Sequence, residues 1–304
     1  MIELTATAIP DIARVGGKGL NLIRLVKSGV LVPSGFVVEA EHFHSYVATL
    51  IKSVANAPSP TKQSIEMTST LMIQKISEII FDETFNRDIG GCYAELDSQY
   101  VAVRSSAVSE DGENASWAGQ LSTELNVQQV GLEQAIKKCW ASAFSPRALT
   151  YALENDCLLT DISVAVVVQA MVESDVSGVA FSVNPVTNNK QEIVIEAAYG
   201  LGEAVVSGVV TPDEYVVRKS DLTIIDVTTV PQRRKVSLQN DMTDWSVVPS
   251  DLHEKQKLHS EEIIELAEAV KSIERAMGYS ADVEWAFKDA ILYITQARPI
   301  TGLG

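Results

Sequence analysis

The sequence predicts a mixed α+β protein, helix-richer up to about residue 165 and strand-richer beyond it. Three observations carry that reading. Apolar residues recur at helical spacing in the first half, as at Leu20, Ile23 and Val26. From Ser163 onward, β-branched runs such as Val166-Val167-Val168 are divided by breakers, among them Asn184-Pro185 and Thr211-Pro212-Asp213. Finally, 304 residues with 46% hydrophobic side chains can fill two cores, because a single core stops growing near roughly 250–300 residues. The two lobes are placed at 1–165 and 166–304.

In chain order, a helix is expected over 19–27, with Gly29 suited to a left-handed C-cap. Ile65, Leu71, Ile76, Ile79 and Ile80 mark a second helix over 64–81. A short strand at 100–103 runs into Arg104-Ser105-Ser106. Helices follow at 132–140 and 146–153, the latter opened by Pro146, whose missing N–H costs nothing in a first turn. Strands are expected at 164–169, 178–183, 192–198, 214–218 and 222–227. A long helix over 251–277 buries Leu258, Ile263, Leu266, Val270 and Ile273 and stops at Gly278. The chain closes with a hairpin, 282–287 and 291–298.

Lys plus Arg number 24 against 40 Asp plus Glu, a formal charge of −16. Such acidity repels a phosphodiester backbone and argues against nucleic acid as a partner. A small anion, feeling only the charges nearest to it, is not excluded. Cys92, Cys139 and Cys157 form no CxxC pair and no disulfide framework, which suits a reducing cytoplasm. No basic start with an apolar run opens the chain, and its densest apolar stretch falls short of a bilayer. A cytoplasmic protein without membrane contact is expected.

Several segments have phosphate-binding chemistry. In Val15-Gly16-Gly17-Lys18-Gly19, glycines admit a phosphate close to the backbone, the following helix offers N–H groups, and Lys18 supplies charge. Ile12 and Gly19 break the Walker A pattern, and Leu22 breaks the dinucleotide fingerprint. The plain alternative is a turn with a solvated lysine. Arg104-Ser105-Ser106 empties into a glycine-containing loop that includes Gly119, where a guanidinium can bridge phosphate oxygens; the alternative is a surface loop with Arg104 in an ion pair. Gln169, Met171 and Val172 end a strand in an apolar connector that could seat a purine, or simply fill a core. Glu196 to Glu203 holds a second glycine-punctuated loop. His42 and His44 have no metal-ligand neighbours, and Gln232-Arg233-Arg234-Lys235 is either a solvated turn or a phosphate or partner contact.

The terminal hairpin carries the most information. Asp282 and Glu284 alternate against Val283, Trp285 and Phe287, while Leu292, Ile294, Gln296 and Arg298 would share a face on the partner strand. A two-residue loop pairs Glu284 with Thr295 and separates the polar groups. A three-residue loop, Lys288-Asp289-Ala290, pairs Asp282 with Gln296 and joins them. The three-residue loop is therefore expected, with Asp289 or Ala290 strained or bulged. Glu284 and Gln296 oxygens then suit Mg²⁺, a hard ion that shares phosphate oxygens, and Arg298 suits charge on a transferring phosphoryl group. The alternative is an edge hairpin with solvated polar residues.

Together these segments resemble the ATP-binding domain of the phosphoenolpyruvate synthase and pyruvate phosphate dikinase family, which rifampicin phosphotransferases share. The matching stretches are 15–22, 101–107, 115–120, 168–171, 198–204, 211–215, 282–285 and 296–301. The resemblance implies an ATP-grasp fold, two lobes enclosing a nucleotide cleft. It implies that Lys18 and Arg104 contact phosphates, with Gly119 and Thr123 in the loop above them. Gln169 falls at the adenosine end, and Met171 and Val172 lie around the base. Glu284 and Gln296 hold Mg²⁺ or ribose and phosphate oxygens, and Arg298 faces the transferring phosphates. The catalytic group is then Lys18, Arg104 and Arg298. The implied reaction cleaves ATP to AMP and sends a phosphoryl group to a histidine, which passes it to a small-molecule acceptor. The four histidines here (His42, His44, His253, His259) match no such carrier, so the phosphohistidine is expected on a separate domain or chain. The competing readings are an ATP-grasp carboxylate–amine ligase acting through an acyl phosphate, and a non-catalytic ATP-binding subunit.

Overall fold

The computed structural model describes residues 1–54, 62–107, 121–155, 157–239 and 242–300. The chain divides into two compact units, Met1–Leu20 with Ser34–Met171 and Asn21–Pro33 with Val172–Gly304. Both combine helices with a sheet, the mixed α+β class that the patterning predicts.

The first unit is built on a five-stranded sheet ordered β1-β2-β5-β3-β4. Its strands are β1 (Ile2–Glu3), β2 (Gly35–Val38), β3 (Val101–Ala107), β4 (Thr123–Val127) and β5 (Val164–Ala170). One face carries Phe36, Val38, Val101, Val103, Val164, Val166 and Val168. These pack with Phe43, Phe85 and Trp140 from helices α2 (Ala40–Val54), α4 (Glu83–Ala94) and α5 (Leu132–Ser142). Helices α3 (Lys62–Ser77) and α6 (Pro146–Glu154) complete this layer, sending Met72, Ile76, Ala148 and Leu149 into the same core. Strand β3 does not stop at 103. Ser105 and Ser106 continue it because β5 pairs with them through Val166 and Ala165, so hydroxyl residues that read as loop are ladder residues.

Helix α1 spans Ile12–Lys27 but breaks at Gly16, which has φ 68 and ψ 176. A side chain at Gly16 would lie 2.1 Å from the Ser106 carbonyl oxygen. Glycine is therefore demanded twice, by conformation and by close approach.

The second unit is built on a six-stranded sheet ordered β13-β12-β6-β7-β8-β9. The strands are β6 (Val176–Phe181), β7 (Glu192–Tyr199), β8 (Asp213–Arg218), β9 (Ile224–Thr228), β12 (Ala281–Lys288) and β13 (Ile291–Pro299). A short helix α7 (Glu203–Val206) and a separate hairpin, β10 (Arg234–Gln239) with β11 (Met242–Val247), lie between β7 and the last helix. That helix, α8, is Ser260–Met277 and not 251–277: the His259 N–H donates to Glu262 Oε2 at 2.7 Å in an N-terminal capping box. Gly278, at φ 78, closes it as expected. Ile263, Leu266, Val270 and Ile273 of α8 are fully buried, as are Ile193, Ile195, Val217, Val283 and Trp285 of the sheet.

The terminal hairpin corrects the expected loop. The turn has two residues, not three: Lys288 pairs with Ile291, and Asp289 and Ala290 both take positive φ, 51 and 60. Positive φ at both central positions is the turn whose twist matches antiparallel strands. The register then slips between Glu284 and Trp285, so that Trp285 faces Ile294 while Glu284 faces Gln296 and Asp282 faces Arg298. Thr295 is the extra residue. It breaks the alternation that would have kept Ile294 and Gln296 on one face. Leu292 and Ile294 thereby join Phe287 and Trp285 on the core side, and Gln296 and Arg298 join the acids on the other. A three-residue loop would have set Ile294 against Glu284, an apolar side chain against a carboxylate.

Candidate functional site

In the first unit, the glycine cluster and the end of β3 are one structure. Ser106 Oγ donates to the Val15 carbonyl at 2.8 Å and accepts from the Gly19 N–H at 3.1 Å. Gly19 is closely packed, since a Cβ there would meet Val15 Cβ and Val37 Cγ2 at 3.2 Å each. Lys18 is held between these contacts, its Nζ donating to the Ser105 carbonyl at 3.0 Å. The solvated-turn alternative for this cluster is thus set aside.

Arg104 lies opposite Thr123 on β4 and Val167 on β5, and Gln169 lies opposite Ala102 on β3 and Gly35 on β2. Direct partners share a face, so Arg104, Thr123, Ser106 and Gln169 all occupy the face away from the Phe43–Trp140 core. Thr123, expected in a loop, opens a strand instead, because its ladder bonds to β3 are available there. Gly119 lies outside the described residues. Gln169 is 2% exposed, and its Nε2 has no hydrogen-bond partner among the described residues, an uncommon state for a buried amide. Just beyond it, Met171 is fixed by its N–H to the Tyr100 carbonyl at 3.0 Å and by Sδ to the Asn126 N–H at 3.0 Å.

In the second unit, the sheet face away from α8 carries a polar row: Gln296, Glu284, Val179, Glu196 and Glu214 are successive direct partners on five strands. The next row holds Arg298 and Asp282, joined by Arg298 Nε donating to Asp282 Oδ2 at 2.8 Å. Burial pushes the Asp282 carboxyl above its ordinary range, against the pull of Arg298, with Glu284 adding to the rise. Glu196 is also raised, first by burial and then by repulsion from Glu214 and Asp282. No hydrogen bond or ion pair among the described residues satisfies it. Sequence reading set Glu196 in the 192–198 strand and at the head of a glycine loop, but missed its place in this row. The signal was there in Glu192-Ile193-Val194-Ile195-Glu196, whose alternation is that of a strand with its acids on one side.

Val172 opens the longer segment of the second unit, and Asp175 follows it. Burial works against the Asp175 charge, yet the Asp289 N–H and the Lys288 ammonium hold its carboxyl below the ordinary range. The connector after Met171 is thereby tied to the tip of the terminal hairpin. Among the described residues no group of three or more His, Cys, Asp or Glu is arranged to hold a metal ion. One carboxylate facing one amide, Glu284 and Gln296, instead fits an ion that completes its shell with water and phosphate oxygens, the usual habit of Mg²⁺. Among the described residues no helix is long and apolar enough to cross a membrane.

The family model described as pyruvate phosphate dikinase, AMP/ATP-binding domain, matches residues 12–304. A probable phosphoenolpyruvate synthase of Archaeoglobus fulgidus is 38% identical over 96% of this chain and 40% of its own length. Another, from Methanocaldococcus jannaschii, is 37% identical over 96% of this chain and 26% of its own. The rifampicin phosphotransferase of Bacillus cereus is 35% identical over 95% of this chain and 34% of its own. The chain therefore spans less than half the length of these curated relatives. Among solved structures, a D-alanine–D-alanine ligase of Bacillus anthracis matches 94% of this chain and 57% of its own at 10% identity, with a TM-score of 0.37, too slight a likeness to carry an argument. Glycine cluster, arginine strand and acid–amide hairpin all fall within the matched residues, and the chain belongs to the AMP/ATP-binding domain family of pyruvate phosphate dikinase.

Proposed function

We propose that this chain is the ATP-grasp, nucleotide-binding part of a phosphotransferase. It cleaves Mg-ATP and passes a phosphoryl group to a histidine on a separate domain or chain, from which a small-molecule acceptor takes it. The observation that carries the reading is the pairing of Glu284 with Gln296 beside the Arg298–Asp282 ion pair, in a chain whose other unit fixes Lys18 against the Ser105 carbonyl and Arg104 within β3.

Phosphoryl transfer asks little covalent chemistry of a protein; positioning and charge stabilisation do most of the work. Lys18, tethered by Ser105, and Arg104, held in the middle of a ladder, are preorganised cations for phosphate oxygens. Arg298 supplies a third, oriented by Asp282, where charge develops on the transferring group. The buried Gln169 amide suits the edge of the base or ribose, with Met171 and Val172 as apolar neighbours. Glu284 and Gln296 would hold Mg²⁺, which when bound neutralises phosphate charge. The acidic row around them disfavours an unaccompanied polyphosphate and favours the metal complex.

Phosphorus NMR of the chain with Mg-ATP and candidate partners tests this. AMP appearing only with a histidine-bearing partner supports the proposal. ADP formed with an amine and a carboxylate would show a ligase instead, and tight binding without turnover in any mixture would show a nucleotide-binding subunit.

A further inference from the structure

The basic cluster Gln232-Arg233-Arg234-Lys235 has no part in the site so far. Its residues differ sharply in their surroundings. Arg233 is exposed, and the Arg234 guanidinium lies over the Trp245 ring, 4.9 Å from its centroid. Lys235 is partly buried, and among the described residues no hydrogen bond or ion pair reaches its ammonium. Its only charge partner among the described residues is the longer-range pull of Asp175, and a partly buried cation without a direct contact gains from an added negative group.

The backbone beneath Lys235 is anchored on every side. The Gln232 side chain, 4% exposed, accepts from the Tyr199 N–H at 2.9 Å and donates to the Tyr199 carbonyl at 3.0 Å, a bidentate grip on the end of β7. The Leu201 N–H donates to the Val236 carbonyl at 2.8 Å. A Cβ on Gly200, at φ +92, would strike the Val236 oxygen at 2.3 Å and Lys235 Cβ at 3.0 Å. Upstream, the fully buried ion pair of Lys257 Nζ with Asp213 Oδ1, 2.7 Å, also fixes Val230, whose N–H donates to the same oxygen at 2.8 Å. These contacts hold Lys235 directly over Gly200, and the Gly200 N–H in turn donates to the Asp175 carbonyl at 3.0 Å. Lys235 charge is one of the influences that lower the Asp175 carboxyl. Lys235 Cβ therefore stands beside Gly200 at the connector end of the sheet, where Tyr199, Val176 and Phe287 are successive direct partners. The Glu284–Gln296 row lies three residues along the strands, roughly 10 Å at about 3.3 Å per residue.

We propose that Lys235 is a further nucleotide residue, its ammonium holding the phosphate group that adjoins the nucleoside. This rests on the nucleotide reading above: with the base at the connector and the terminal phosphates at Glu284 and Gln296, the group nearest Gly200 is the first phosphate.

Calorimetric titrations of the whole chain with ATP, ADP, AMP and adenosine, all with Mg²⁺, test the assignment in wild type, Lys235→Ala and Lys235→Arg. The expected result is a loss of about tenfold for ATP, ADP and AMP alike in Lys235→Ala. Adenosine affinity stays unchanged, and Lys235→Arg recovers most of the loss. Equal losses for adenosine and the nucleotides would mark Lys235 as structural and overturn the assignment. So would Lys235→Ala binding all ligands as tightly as wild type. A wild-type chain that binds neither AMP nor ATP would overturn the underlying nucleotide reading itself.

Discussion

Replacing Gly16 with alanine tests the structural basis of the first unit's site. The residue sits at φ 68 and ψ 176, a region essentially closed to residues with a side chain, and occupying it costs about 1–3 kcal/mol. The new Cβ would also lie 2.1 Å from the Ser106 carbonyl oxygen and 2.6 Å from its carbon. That backbone cannot yield easily, because β3 is paired with both β4 and β5. Relief must come from moving the glycine cluster, which breaks the Ser106 bonds to Val15 and Gly19, each worth about 1 kcal/mol. The sum predicts a loss of about 3–5 kcal/mol. Gly29→Ala is the control: its φ is +85, but nothing lies within 4 Å of the added Cβ, so it carries strain alone, about 1 kcal/mol. Urea unfolding followed by circular dichroism reads both variants as midpoint shifts at constant slope. A Gly16→Ala protein no less stable than Gly29→Ala would refute the claim that cluster and strand are docked as described.

Three further outcomes follow from the second unit. Ala290→Gly relieves a left-handed alanine at φ 60 and should stabilise the hairpin by about 0.5–1 kcal/mol in thermal unfolding; a destabilised variant would count against the two-residue turn. Glu196→Gln probes the raised carboxyl. Because the folded state holds that proton more tightly than the unfolded one, the wild type loses stability as pH rises through the folded pKa. The glutamine variant should therefore be the more stable near neutral pH, with the difference vanishing in acid. A pH titration of the melting temperature showing the opposite trend would exclude it. Arg298→Ala should leave Mg-ATP binding measurable while slowing phosphoryl transfer by about 10²–10³-fold; unchanged turnover would remove Arg298 from the mechanism.

Most of the α+β pattern was legible because it rests on local signals: β-branched runs, Pro146, Gly278. What escaped depends on tertiary partners. Strands β10 and β11 went unassigned because Arg234, Ser237 and Asp244 alternate with few apolar residues, and their places come from Gly200 and Gln232. The stretch before α8 read as helix because Glu254, Lys255 and Gln256 favour one; the burial of Lys257 against Asp213 is invisible without the fold. The polar face of the terminal hairpin was legible as a requirement but not as a mechanism. Alternation in β13 placed Ile294 with Gln296, and only the bulge at Thr295 separates them. Lys18 and Arg104 were visible as candidate phosphate ligands, whereas Ser106, which ties their segments together, was not distinguishable from any loop serine.

The most direct test of the proposed nucleotide site is a calorimetric titration of Mg-ATP into wild type, Arg104→Ala and Glu284→Ala. The account predicts wild-type binding that each substitution weakens about 10–100-fold, the loss expected of a charge-assisted contact to phosphate or its metal. Wild type that ignores Mg-ATP, or either variant binding it undiminished, would contradict the account.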